Sequence, residues 1–192
     1  MARMTERLTA AFRYAAQLHA TQLRKGTPVP YIAHLMAVAA IVLEHGGREN
    51  QVIAALLHDA IEDHPRDGAT RQEIREQFGP EVLAMVEDCT DADTHPKPPW
   101  QDRKERYIAR LPGTSREAKL VSLADKVHNA RTILNDFIQV GDELWDRFMG
   151  AKDGTLWYYR TLADVYTREY PGPLAQELES VVSELERVAR GS

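Results

Sequence analysis

A histidine followed by an aspartate, His58-Asp59, closes an otherwise apolar stretch, and Glu62-Asp63 stands one helical turn further on. In a continuous helix, advancing about 100° per residue, these four side chains fall within an arc of about 140°. Three carboxyls crowded beside one imidazole repel each other unless a cation sits among them. Two further residues can complete such a site. His34 lies in the apolar segment Ile32-Ala33-His34-Leu35, and Asp125 follows the largely apolar run Leu120-Val121-Ser122-Leu123-Ala124. His34, His58, Asp59 and Asp125 make a mixed nitrogen and oxygen set without sulfur. Such a set suits Mn2+ or Fe2+, admits Mg2+ or Zn2+, and leaves positions for water and substrate oxygens. Taken singly each residue has an ordinary reading, because a lone histidine on an apolar helix is more often a core or capping residue. The joint order of the motifs carries the metal assignment.

A divalent ion held this way acts as a Lewis acid on a phosphate oxygen and acidifies a water. Glu62 is placed to orient or deprotonate that water, and Asp63 to position a second water or the leaving group. The alternative for both acids is an electrostatic brace on His34 or Arg24. His19, His45, His64, His95 and His128 read as structural or exposed.

The elements that must position these residues read as helices. Thr5 to about Leu23 carries Leu8, Phe12, Ala15, Ala16 and His19 on one face. That places Arg24 and Lys25 at a helix end, where cations suit the dipole. Gly26 and the prolines after it form a loop. A second helix is expected over about 32–44, and a third, apolar almost all round, over about 51–62. Thr70-Arg71-Gln72-Glu73 is a capping-box pattern, and Pro80 suits the first turn of a helix to about Cys89. The stretch Asp91 to Pro99, with three prolines, is a loop. A charged helix follows from about Gln101. Thr114-Ser115-Arg116-Glu117 opens another, to about Asn135. Two more are expected over about 142–170, with a break near Asp153-Gly154, and over about 174–189. No stretch alternates with period two long enough for a sheet, so the fold is all-α.

The 192 residues fit a single domain, 1–192, that can bury a substantial core. No apolar run approaches the roughly 18 residues a membrane helix needs, and the N-terminus shows no secretory pattern. The single cysteine, Cys89, excludes an internal disulfide and a thiolate cage. A cytoplasmic location is expected. The net charge of −5 argues against a long nucleic acid as partner, but a small phosphorylated ligand needs only a local cluster of cations. Lys97 to Arg110 offers one, with Lys97, Arg103, Lys104, Arg106 and Arg110 against Asp102 and Glu105. It reads either as a solvated helix face or as a clamp for distal phosphates, with Lys97 and Arg103 as the contacts and the Pro-rich loop as a flap. Asn129, one turn after Asp125, can donate to a ribose or phosphate oxygen. Trp157, Tyr158 and Tyr159 read as core.

Four motifs resemble, in order, those of the HD superfamily, and within it the hydrolase domain of RelA/SpoT homologues, especially the free-standing small alarmone hydrolases. They are Gln22-Leu23-Arg24-Lys25-Gly26 with Pro30-Tyr31-Ile32-Ala33-His34; Ala55 through Asp63, which matches HDxxED; Phe78-Gly79-Pro80-Glu81-Val82 with Thr90-Asp91; and Lys119 through Thr132. The resemblance covers about Thr5 to Asn135. It implies an all-α, HD-type helical bundle that removes the 3′-pyrophosphate from guanosine tetra- and pentaphosphate with Mn2+, using Glu62 and Asp63 as the catalytic pair. It also implies that Arg24 stacks on the purine and that Lys25 supports the site. Leu35 departs from the family, which commonly has Pro there, and the segment after Asn135 departs more. Two other readings stand beside this one. One is an HD-type hydrolase of another nucleotide, including a phosphorylated dinucleotide cofactor. The other is a sensor that binds the nucleotide without turnover.

Overall fold

The computed structural model describes residues 5–92, 94 and 96–191; His95, expected to be structural or exposed, lies outside them. The described residues form ten α-helices, three short 3-10 segments and no strand. α1 spans Glu6–Leu18, α2 Ile32–Glu44, α3 Glu49–Leu57, α4 Ala60–Asp63, α5 Ala69–Phe78, α6 Pro80–Cys89 and α7 Trp100–Arg110. α8 spans Arg116–Val140, α9 Ala151–Glu169 and α10 Pro173–Arg190.

α8 is the spine. Its N-cap Ser115 accepts from the Ala118 N–H, satisfying one of the donors a helix start leaves unpaired. It runs to Val140, past the expected end near Asn135, and packs against α2, α3, α6 and α10. α3 is buried along Val52–Leu57 and lies among α1, α2, α6 and α8. Its lack of a polar face is explained by neighbours on all sides. α10 is amphipathic, with Leu174, Leu178, Val182, Leu185 and Ala189 buried at spacings of three and four.

Four expectations are corrected. The first helix stops at Leu18, not near Leu23. The chain then turns into a small hairpin in which Arg24 N–H donates to the Val29 carbonyl (2.8 Å) and Tyr31 N–H to the Gln22 carbonyl (2.9 Å). Gly26 has φ +71° there, a conformation that favours glycine, and its missing Cβ leaves room for the Arg147 side chain. Arg24 and Lys25 are therefore hairpin residues and not helix-terminal charges. Second, the helix expected over 51–62 breaks at His58-Asp59 and resumes at Ala60. The His58 ring bonds the Ala55 carbonyl (2.8 Å), the acceptor that Asp59 N–H would use in a continuous helix. Third, Thr70 lies inside α5, whose N-cap is Gly68; its hydroxyl bonds the His64 carbonyl, and Glu73 pairs with Arg66. Fourth, the late break falls before Ala151, after a 3-10 segment Gly141–Arg147, and not at Asp153-Gly154. Gly150 and Gly154 both face the Trp100 ring, and a Cβ at Gly150 would meet it at 2.7 Å.

Candidate metal centre and substrate cavities

The break at His58-Asp59 lets neighbouring residues point at one spot. His34 enters from α2, Asp125 from α8, and His58 and Asp59 from the α3–α4 junction. His58 Nε2 lies 3.0 Å from Asp59 Oδ2 and 3.5 Å from Asp125 Oδ1. His34 Nε2 lies 3.2 Å from Asp125 Oδ1, 3.6 Å from Asp59 Oδ2 and 3.2 Å from His58 Nε2. Donors about 2.1 Å from a shared ion stand about 3.0 Å apart in an octahedron and about 3.4 Å apart in a tetrahedron. The four donor atoms have the spacing of a coordination shell. His34, His58 and Asp59 form a group able to hold a metal ion, and Asp125 joins it through both imidazoles.

The histidine tautomers fit the same purpose. With His58 Nδ1 donating to the Ala55 carbonyl, Nε2 is left as a lone pair. His34 Nδ1 is 2.8 Å from His128 Nδ1. Burial, with the His34 ring and Arg24 nearby, pushes His128 down to about 4, so it is neutral and can accept from His34. Burial opposes the charges of Asp59 and Asp125. His58 and His34 beside Asp59, and Lys126 and the two imidazoles beside Asp125, outweigh it and hold both carboxyls well below their usual range. Burial also opposes a charge on His58, but Asp59 and Asp125 hold that imidazole well above its usual range. A cation that displaces the proton from His58 meets two ionised carboxylates and two imidazole nitrogens at one spot.

A ring of partners orients the set. The Tyr31 hydroxyl donates to Asp59, Lys126 Nζ lies 2.7 Å from Asp125 Oδ2, and the Asn129 amide donates to Asp125 Oδ1. Sequence reading missed Tyr31, Lys126 and His128 as site residues. Tyr31 stands three positions before His34, and Lys126 and His128 one and three positions after Asp125. That proximity was the available signal.

Glu62 and Asp63 lie beside the cluster and differ in setting. Glu62 Oε1 accepts from Lys97 Nζ (2.8 Å) and Oε2 from the Asp91 N–H (3.1 Å). Asp63 accepts from Gln22 Nε2 (2.7 Å). Enclosure by protein and then the Asp59 charge lift the Asp63 carboxyl to about 6, against the Gln22 hydrogen bond. Gln22 opens the first of the motifs quoted from the sequence, but nothing around it assigned it a partner.

Two adjoining cavities reach the cluster, one through His34 and the other through Glu62. One, of about 450 Å3, is lined by Arg24, Lys25, Tyr31, His34, His128 and Asn129 among others. The Arg24 guanidinium lies 5.9 Å from the Tyr31 ring centroid and donates to Asn129 Oδ1 (2.8 Å). Asn129 thus links Arg24 to Asp125. The second cavity, of about 430 Å3, is lined by Lys25, Glu62, Lys97, Arg103 and Lys104. Lys25, Phe148 and Tyr159 belong to both walls. Arg103 is buried and bonded to Asp91 and to the Pro98 carbonyl, so its guanidinium is already engaged. Lys104 bonds Asp91 (2.8 Å) and lies over the Tyr158 ring. Tyr158 and Tyr159 are buried as expected, yet Tyr159 also faces both cavities.

Helical architecture and a histidine–aspartate cluster of this kind define a class, and residues 11–155 match the family model described as the HD domain. The chain belongs to that family. Over 126 residues it is 40% identical to the guanosine-3′,5′-bis(diphosphate) 3′-pyrophosphohydrolase MESH1 of Xenopus tropicalis, covering 64% of this chain and 67% of that protein. Over 129 residues it is 40% identical to the Homo sapiens protein of the same name, covering 66% and 69%. The solved structure of a metazoan ortholog of SpoT that hydrolyzes ppGpp superposes with a TM-score of 0.80 at 26% identity, over 98% of this chain and 99% of that one.

Proposed function

We propose that this chain is a metal-dependent phosphohydrolase that removes the 3′-pyrophosphate from guanosine tetra- and pentaphosphate. The observation that carries this reading is the cluster of four donors spaced like a coordination shell where a nucleoside-sized cavity adjoins a lysine-rich one. The likeness to proteins named for that activity supports it.

His34, His58, Asp59 and Asp125 hold the ion, and Mn2+ suits two imidazoles and two carboxylates. When bound, the ion supplies Lewis acidity toward a phosphate oxygen and acidifies a water. Glu62 accepts the proton from the attacking water once its contact with Lys97 gives way to substrate. Asp63, steadied by Gln22, orients the water or the departing group. The P–O bond at the 3′ oxygen breaks; water oxygen ends on pyrophosphate and a proton on the ribose oxygen. Arg24 stacks on the purine, as a planar guanidinium can. Lys25 and Lys97 bind the phosphates, with Lys104 beside them. Arg103 acts through Asp91, and Asn129 faces the sugar while holding Arg24. A cytoplasmic protein acting on a small nucleotide goes with this reading, and no helix among the described residues is long and apolar enough to cross a membrane.

The test is incubation with guanosine tetraphosphate and Mn2+, with products separated by anion exchange. Guanosine diphosphate and pyrophosphate in equal amounts are expected. Orthophosphate as the sole inorganic product, or binding without turnover, overturns the assignment; the second result describes a sensor.

A further inference from the structure

The wall of the larger cavity includes residues from the segment after Asn135, beyond the four motifs quoted from the sequence. Asp136, on α8, and Arg147, at the end of the 3-10 segment, both line it. Arg147 Nη1 lies 2.9 Å from Asp136 Oδ2. Asp136 supplies the one carboxylate in that wall; the other charged side chains there are Arg24, Lys25 and Arg147. Among the described residues the Asp136 carboxylate makes no other side-chain hydrogen bond than this one. Oδ1 is left to accept from something else. Arg147 is held across the Gly26 turn, where a Cβ would stand 2.7 Å from its Cδ. The pair is thus positioned against the same hairpin that carries Arg24 and Lys25.

A guanine edge presents an N1–H and an exocyclic N2–H2, both donors, next to the O6 acceptor. A carboxylate beside a guanidinium presents two acceptors next to donors. Adenine offers an N1 lone pair to the carboxylate in place of a donor, and hypoxanthine keeps N1–H and O6 but lacks the N2 amine. We propose that Asp136 and Arg147 form the base-reading pair of this enzyme. Asp136 accepts from guanine N1–H and N2–H2, and Arg147 donates to O6, with Arg24 stacked on the ring. The inference rests on the nucleotide-hydrolase reading above and deepens it. Buried polar groups that lose their partners discriminate strongly between otherwise similar ligands.

The test compares the 3′,5′-bis(diphosphates) of guanosine, inosine and adenosine as substrates with Mn2+ for the parent, Asp136→Asn, Asp136→Ala and Arg147→Met. The parent is expected to rank guanosine above inosine above adenosine in kcat/KM. Each variant is expected to lose about ten- to hundredfold of its guanosine-to-adenosine ratio, through KM. Asp136→Asn preserves shape and an acceptor for Arg147. A variant that is merely loosened loses rate on all three bases alike, so the ratio distinguishes lost recognition from damaged folding. An unchanged ratio in variants that still turn over overturns the base-reading role and leaves the hydrolase reading standing. A parent that releases pyrophosphate from none of the three overturns both.

Discussion

Lys97 Nζ lies 2.8 Å from Glu62 Oε1 while the Asp91 N–H binds Oε2, so both oxygens of the candidate general base are engaged before substrate arrives. A lysine in a proline-rich loop is the partner most easily exchanged, because a phosphate offers it more negative charge than one carboxylate does. Under the proposed function, a phosphate that draws Lys97 away frees Glu62 Oε1.

Glu62→Gln keeps the fold and the metal but loses turnover by about 10²–10⁴-fold, the usual contribution of a general base. Glutamine retains the hydrogen-bonding shape and cannot take a proton at neutral pH. Single-turnover kinetics with metal content measured alongside checks this; parent-like turnover would leave Glu62 as a brace only.

Asp125→Ala removes the metal, because it takes one of four donors and the carboxylate held by Lys126. Elemental analysis after dialysis is the measurement, and full occupancy in the variant refutes the ligand set. In the parent, chelation lowers the melting temperature. An ion at 100 times its dissociation constant stabilises the folded state by about 2.7 kcal/mol. In the Asp125 variant the chelator has no effect.

The Asp63 carboxyl, lifted to about 6 from an ordinary 3.8, gives a signed pH effect in metal-free protein. Between those values the folded state keeps a proton that the unfolded chain has released. Stability is therefore lost as pH rises through about 6. Asp63→Asn lacks this slope. Its melting temperature relative to the parent rises from pH 4 to pH 6 and then levels, whereas a flat difference would show that Asp63 is not perturbed.

Arg24→Ala raises KM for guanosine tetraphosphate several-fold to a few tens-fold, with the metal retained. Stacking by a flat cation is worth about 0.5–2 kcal/mol. Arg24→Lys rescues little, since a point charge does not stack. Unchanged KM in both variants eliminates the stacking role.

Residue type and order alone pointed to His34, His58, Asp59 and Asp125, because a buried group of acids and imidazoles has few explanations other than a cation. The bounds of α2 and α6 and the start of α7 were legible too, since apolar periodicity, Gly79, Pro80 and Pro99 act locally. What the sequence could not show depended on partners far along the chain. Arg24 meets Asn129 across 105 positions, His34 meets His128 across 94, and Gln22 meets Asp63 across 41. The break at His58-Asp59 is of the same kind. Local propensity favours an unbroken helix there, and only the requirement that adjacent side chains converge on two other helices makes the turn worth its lost backbone regularity.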